Sequence, residues 1–175
     1  KKKYPRNMLG YGSNPPEVNW PNNSRIAVQF VLNYEEGGEN SLDNGDKYSE
    51  TFLSEIIGAK PIEGRNMNME SIYEYGSKRG FWRIYNSFID RNLPLTIFGV
   101  ASALIKNNEV CSALKESNFE IASHGYRWID YQHIDKKIEK EHILKCNEII
   151  KDIFGSYPKG WYTGRISPNT RKLVI

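Results

Sequence analysis

Four short β-rich runs, RIAVQFVLN (25–33), LTIFGV (95–100), FEIAS (119–123) and GWYTG (160–164), alternate with segments whose apolar residues recur at helical spacing. Strands that run the same way need a crossover between them, and a helix is the usual crossover. The alternation βαβαβαβ therefore implies a parallel sheet and an α/β fold class. The first run is apolar almost without interruption, the pattern of a strand covered on both faces. In GFWRIYNSFIDRN, Phe81, Ile84, Tyr85, Phe88 and Ile89 form the stripe of an amphipathic helix, which Asn92-Leu93-Pro94 ends. A second helix is expected around Glu109 to Ser117. A third runs from an Asp135 cap to a Gly155 stop, with Ile138, His142, Cys146, Ile149, Ile150 and Ile153 inward and Lys and Glu outward. Residues 37–70 read as a long polar excursion with a short helix around Ser49 to Ile57, and Ser167-Pro168-Asn169 opens a last helix.

At 175 residues the chain suits one domain. The first 24 residues, rich in Pro, Asn and Gly, are expected to be an irregular arm, and 25–175 the domain. The 24 basic side chains exceed the 21 acidic ones by three and are scattered, so no nucleic-acid footprint is expected. Lys1-Lys2-Lys3 reads as a solvated tail. No long apolar run suggests a membrane span or a secretory leader, so a cytoplasmic protein is expected. Cys111 and Cys146 fall in helical apolar patterns without metal-ligand spacing and read as reduced core residues.

Charged residues gather where strands stop: Glu35-Glu36 after the first, His124 after the third, Arg165 after the fourth. In parallel α/β architectures the carboxyl ends of the strands share one face, and sites are built there. The first strand is then a post that brings two carboxylates to a site mouth, and Gly37-Gly38 let the loop turn away. Two adjacent like charges should raise the pKa of one of the pair. ASHGYRWID mixes Ser, His, Gly, Arg, Trp and Asp directly after a buried strand, a mixture that suits a pocket wall. His133 and His142 read as structural.

The segments LNYEEGGEN, NMNMESIYEYGSKRGFWRI, FGVASAL, EIASHGYRWIDY and GWYTGRISPNTR resemble the polysaccharide deacetylase superfamily, the NodB-homology domain of carbohydrate esterase family 4. They are most similar to its branch of cofactor-independent allantoinases and chitin-deacetylase-like relatives. The resemblance implies a partial (β/α) barrel of the NodB type, its C-terminal part, with a later Asp and a Leu-x-His motif, lying outside these 175 residues. In the deacetylases an Asp pair and a His-x-x-x-His motif hold a divalent metal. Here Glu35 and Glu36 stand for the Asp pair, His124 for the first His, and Trp128 for the second. An indole nitrogen offers only a proton, so a three-residue zinc site is not expected; zinc remains the alternative to no cofactor. Arg165 stands at the family's Arg-x-Pro motif, although Pro168 lies three residues on.

The resemblance implies a hydrolase of non-peptide C–N bonds that acts on a small molecule, opening allantoin to allantoate. Glu35 would be the general base, Glu36 would orient water or the ureido group, and His124 and Arg165 would stabilise the oxyanion. Trp128, Tyr34 and Arg127 would contact the substrate. Two alternatives stand beside it: deacetylation of an N-acetylglucosamine polymer, and a non-catalytic remnant that binds a ligand or another chain. A barrel with an open edge needs either its missing strands or neighbouring chains, and a homo-oligomer is expected.

Overall fold

The computed structural model describes residues 8–175, so the Lys1-Lys2-Lys3 tail lies outside the described residues. A parallel sheet is formed by β1 (Val31–Tyr34), β4 (Thr96–Gly99) and β5 (Glu120–Ser123), in the order β1-β4-β5. A two-stranded antiparallel ribbon, β2 (Tyr48–Ser49) and β3 (Ile62–Glu63), stands apart in the 37–66 loop. The helices are α1 (Met67–Tyr75), α2 (Phe81–Asp90), α3 (Ala101–Leu104), α4 (Asn108–Glu116), α5 (Lys136–Phe154) and α6 (Thr170–Val174). This is the α/β class and the partial NodB-type barrel expected.

Local signals set most element ends. Asn66 caps α1 by accepting from Met69 N, Asn107 caps α4 through Val110 N, and Asp135 caps α5 through Lys137 N. Asn92 turns the chain out of α2 with φ of 47°, and Gly155 closes α5 with φ of 82°. A π-turn over Gly76–Gly80 joins α1 to α2, so the helical stretch starts fourteen residues before the amphipathic stripe makes it visible. The core lies between sheet and helices, around Tyr34, Ile97, Val100, Leu104, Leu114, Cys146 and Ile150. α2 closes it with aromatic edges: Phe81 on Tyr34 at 5.6 Å and Tyr85 on Phe119 at 5.7 Å. Such pairs are worth about 0.5–1.5 kcal/mol beyond their buried area. Both cysteines are free and buried; burial pushes the Cys146 thiol up to about 11 and raises that of Cys111 as well.

Four expectations need correction. The first run is neither a nine-residue strand nor covered on both faces: Ile26 and Val28 are 74% and 69% exposed. β1 ends the sheet, and its pairing with β4 starts only where Thr96 N meets Phe30 O at 3.0 Å, so the residues before it have no ladder to join. No helix forms over 49–57, because the Glu50 carboxylate takes the Thr51 and Phe52 amides and Leu53 turns left-handed with φ of 61°. The fourth run makes a single parallel bridge, Ser123 to Trp161, and no strand. Finally, on α5 Cys146 and Ile150 are buried and Ile149 and Ile153 pack against the core as expected, but Ile138 points to solvent and the face also buries Glu139 and Ile143. Over residues 8–24 the chain has a turn at Gly12–Ser13 and a short 3-10 turn at Pro21–Asn23, and it is exposed. Among the described residues no helix is long and apolar enough to cross a membrane.

Candidate active site

Strand register builds the site. Tyr34, Gly99 and Ser123 are aligned across the sheet, so Glu35 and His124 each leave it one residue later, at the same rim. Two strands apart is about 9.6 Å at the usual spacing, and a glutamate and an imidazole together span it over the end of β4. Glu35 Oε1 lies 2.8 Å from His124 Nε2 and accepts from Asn33 Nδ2 at 3.0 Å. His124 is 3% exposed, and its ring stacks against Tyr162 and Phe98. Its Nδ1 lies 2.7 Å from the Tyr162 carbonyl, which can only accept, so Nδ1 carries a hydrogen. Nε2 then either donates to a carboxylate or accepts from a carboxylic acid. In both cases the pair shares one mobile proton, which suits it to move protons on and off a bound molecule.

Glu36 goes elsewhere. β1 ends at Tyr34, and Glu36 lies in the turn that the Gly38 amide closes on the Glu35 carbonyl at 2.8 Å, so its side chain leaves the rim and lines an open groove with Tyr34, Tyr73 and Lys106. Its Oε2 accepts the Glu35 amide at 3.1 Å, and Gly76 leaves the room for it, since a Cβ there would fall 3.0 Å from Glu36 Cδ. Its carboxyl is held above the usual range, first by burial, against backbone amides that pull it down, with a smaller upward push from the charges of Glu35 and Glu39. Like-charge repulsion, the cause expected from sequence, is thus the lesser one.

A stability prediction follows for Glu36. A carboxyl with a raised folded-state pKa binds more protons folded than unfolded between the two values, so stability falls as pH rises through that range. Glu36→Gln keeps an acceptor for the Glu35 amide and cannot ionise. Its Tm is expected to exceed that of the wild type at about pH 8 and to match it at about pH 3, where both side chains are neutral. A Tm difference independent of pH would show that ionisation of Glu36 carries no cost.

The other expected residues fall into place around a loop contact. Trp128 is 4% exposed and packs on Phe52 at 5.8 Å. The Arg165 guanidinium lies over both rings, 4.3 Å from Phe52 and 4.9 Å from Trp128, and Nη1 is 3.1 Å from Glu50 Oε2. Gly164 wedges between the parts of the site: a Cβ there would come within 3.0 Å of His124 Nε2 and of Trp128 Cδ1. Arg127, expected to touch substrate, is committed to the loop after β1, donating to Asp46 and to the Glu39 carbonyl. Burial alone would push Asp46 up, but Arg127 and the Ser41 amide outweigh it and hold the carboxyl low. Tyr34 packs on Phe81, on the helix side of the sheet. His142 takes part in structure through Tyr131, whose hydroxyl is 2.8 Å from Nδ1. Sequence reasoning missed Asn33, Glu50, Phe52 and Tyr162. Asn33 alone had a signal, a polar residue two positions before Glu35.

A divalent metal of the kind the resemblance raised does not fit these donors. His124 has both nitrogens engaged, Trp128 offers no lone pair, and Glu36 turns off the rim. Among the described residues no group of three His, Cys, Asp or Glu side chains could hold one.

A parallel sheet with outer helices and an acid–imidazole pair at the carboxyl rim defines a partial (β/α) barrel of the NodB kind. The chain belongs to the polysaccharide deacetylase family, whose model, described as "Polysaccharide deacetylase", matches residues 68–174. It is 46% identical over 175 residues to a Schizosaccharomyces pombe protein named for the polysaccharide deacetylases, covering 97% of this chain and 54% of that protein. It is 55% identical to a PuuE allantoinase of known crystal structure, with a TM-score of 0.91 and coverage of 98% of this chain and 57% of that one. A Pseudomonas aeruginosa PAO1 structure described as a probable polysaccharide deacetylase matches at 55% identity and a TM-score of 0.92, again over 98% and 57%. The chain thus spans a little over half the length of these relatives.

Proposed function

We propose that the protein hydrolyses a non-peptide C–N bond, opening the hydantoin ring of allantoin to allantoate. The observation that carries this reading is the Glu35–His124 pair, 2.8 Å apart at the strand rim. The likeness to a PuuE allantoinase over 98% of this chain supports the substrate. Glu35 takes a proton from water as its oxygen bonds to the ring carbonyl carbon. The His124 Nε2–H then turns to the developing oxyanion, which competes with Glu35 for that hydrogen. Collapse breaks the C–N bond, and the proton on Glu35 returns to the leaving nitrogen. Arg165, pinned by Glu50 across Trp128, adds positive charge beside the oxyanion, and Trp128 walls the pocket.

The names of the family model and of two relatives favour a second reading, removal of acetyl groups from an N-acetylated sugar polymer. One experiment separates the two. The purified protein is incubated with allantoin and with chitin oligomers, each with and without chelator, and allantoate and acetate are quantified. Allantoate release that survives chelation is expected. Acetate release with no allantoate supports the second reading, and loss of allantoate release on chelation overturns the metal-free mechanism. Release of neither product overturns both and leaves a ligand-binding remnant.

A further inference from the structure

The loop that carries Gly164 and Arg165 is fastened from outside the site. Glu139, on the inward face of α5, is 2% exposed, and its hydrogen-bond partners are hydroxyls. The Ser167 hydroxyl lies 2.7 and 2.8 Å from its two carboxylate oxygens, and Thr170 Oγ1 donates to Oε1. The Ser167 oxygen in turn accepts the amides of Asn169 and Thr170, and Tyr131 N holds the Ile166 carbonyl at 3.1 Å. Glu139 and Thr170 share with His124, Gly164 and Arg165 the lining of one small cavity. A carboxylate removed from water costs several kcal/mol unless its oxygens are satisfied. A polar side chain at this inward position, where the helical pattern would place an isoleucine, therefore needs a reason beyond packing.

We propose that Glu139 is a positioning residue: through Ser167 and Thr170 it fixes the 164–165 segment, so that Gly164 backs His124 and Arg165 lies across Trp128. The functional half of this inference rests on the hydrolase reading above; the structural half does not. The Glu139 carboxylate bonds to Ser167 and Thr170, and it acts on His124 and Arg165 by holding the segment that follows them.

The test uses both halves. The chain has three histidines, so their Hε1 protons give a simple NMR spectrum. His133 is exposed on a loop and serves as the internal control, while His142, which shares the cavity with Glu139, is not diagnostic. In Glu139→Gln the His124 signal is expected to shift while that of His133 stays in place. Thr170→Val, which removes one donor without changing shape, should give a smaller shift in the same direction and keeps the test open if the first variant fails to fold. In turnover, Glu139→Gln should lower kcat/KM about tenfold, a modest displacement penalty, and should lower it by a smaller factor when Arg165 is already alanine, since only the His124 side of the clamp is then left to lose. An unmoved His124 signal, or losses that add in the double variant, overturns the proposal. If the wild type releases no allantoate, the substrate reading fails and the His124 signal still decides the clamp.

Discussion

Glu35→Gln is expected to lower kcat by about 10²–10⁴-fold, the usual contribution of a positioned general base, with little change in KM or in Tm. The substitution is isosteric. The amide can meet His124 Nε2 either way, its oxygen accepting from a protonated ring or its nitrogen donating to a neutral one, so the imidazole keeps its place. What is lost is the ability to take a proton from water. Steady-state kinetics on allantoin alongside thermal melting separates this from a folding defect. A variant that retains most of its kcat would remove Glu35 from proton transfer.

Trp128→Ala is expected to destabilise the protein by about 3–5 kcal/mol, the range for truncating a buried large aromatic. Whole domains are stable by only about 5–15 kcal/mol, so the effect is a large share of the total. The indole carries three loads at once: it packs on Phe52, supports the Arg165 guanidinium and abuts Gly164. Its backbone bond to the Gly38 carbonyl, 2.9 Å long, survives the change. Denaturant unfolding measures the loss, and Trp128→Phe should recover part of it because a ring still meets Phe52. A loss under about 1 kcal/mol would mean that the site collapses around the gap and that the indole is not a fixed wall.

The helices were legible because their signals are local. Asp135 and Gly155 mark both ends of α5, and the stripe from Phe81 to Ile89 marks α2. α1 was hidden, since Met67–Tyr75 mixes polar and apolar residues without a clear stripe, and only its junction with α2 shows it as the start of a longer helix. The 49–57 segment misled for the opposite reason: a helical pattern was present, and Glu50 spent its carboxylate on the two following amides. Glu139 was assigned to solvent because charged residues on a helix usually are; its hydroxyl partners come from 28 and 31 residues further on and leave no trace near it.

The amino-acid order alone determined the α/β class, the parallel direction of the strands and the rim to which Glu35, His124 and Arg165 belong, because period, caps and the ends of apolar runs are written within a few residues. The tertiary structure decided which groups meet there. Glu35 reaches His124 across 89 positions and Arg165 reaches Glu50 across 115, while Glu36, the immediate neighbour of Glu35, lines a separate groove. The physical reason is that a side chain's partner is fixed by strand register, by the turns that follow the strands and by the space its neighbours leave, and these exist only once the chain has folded.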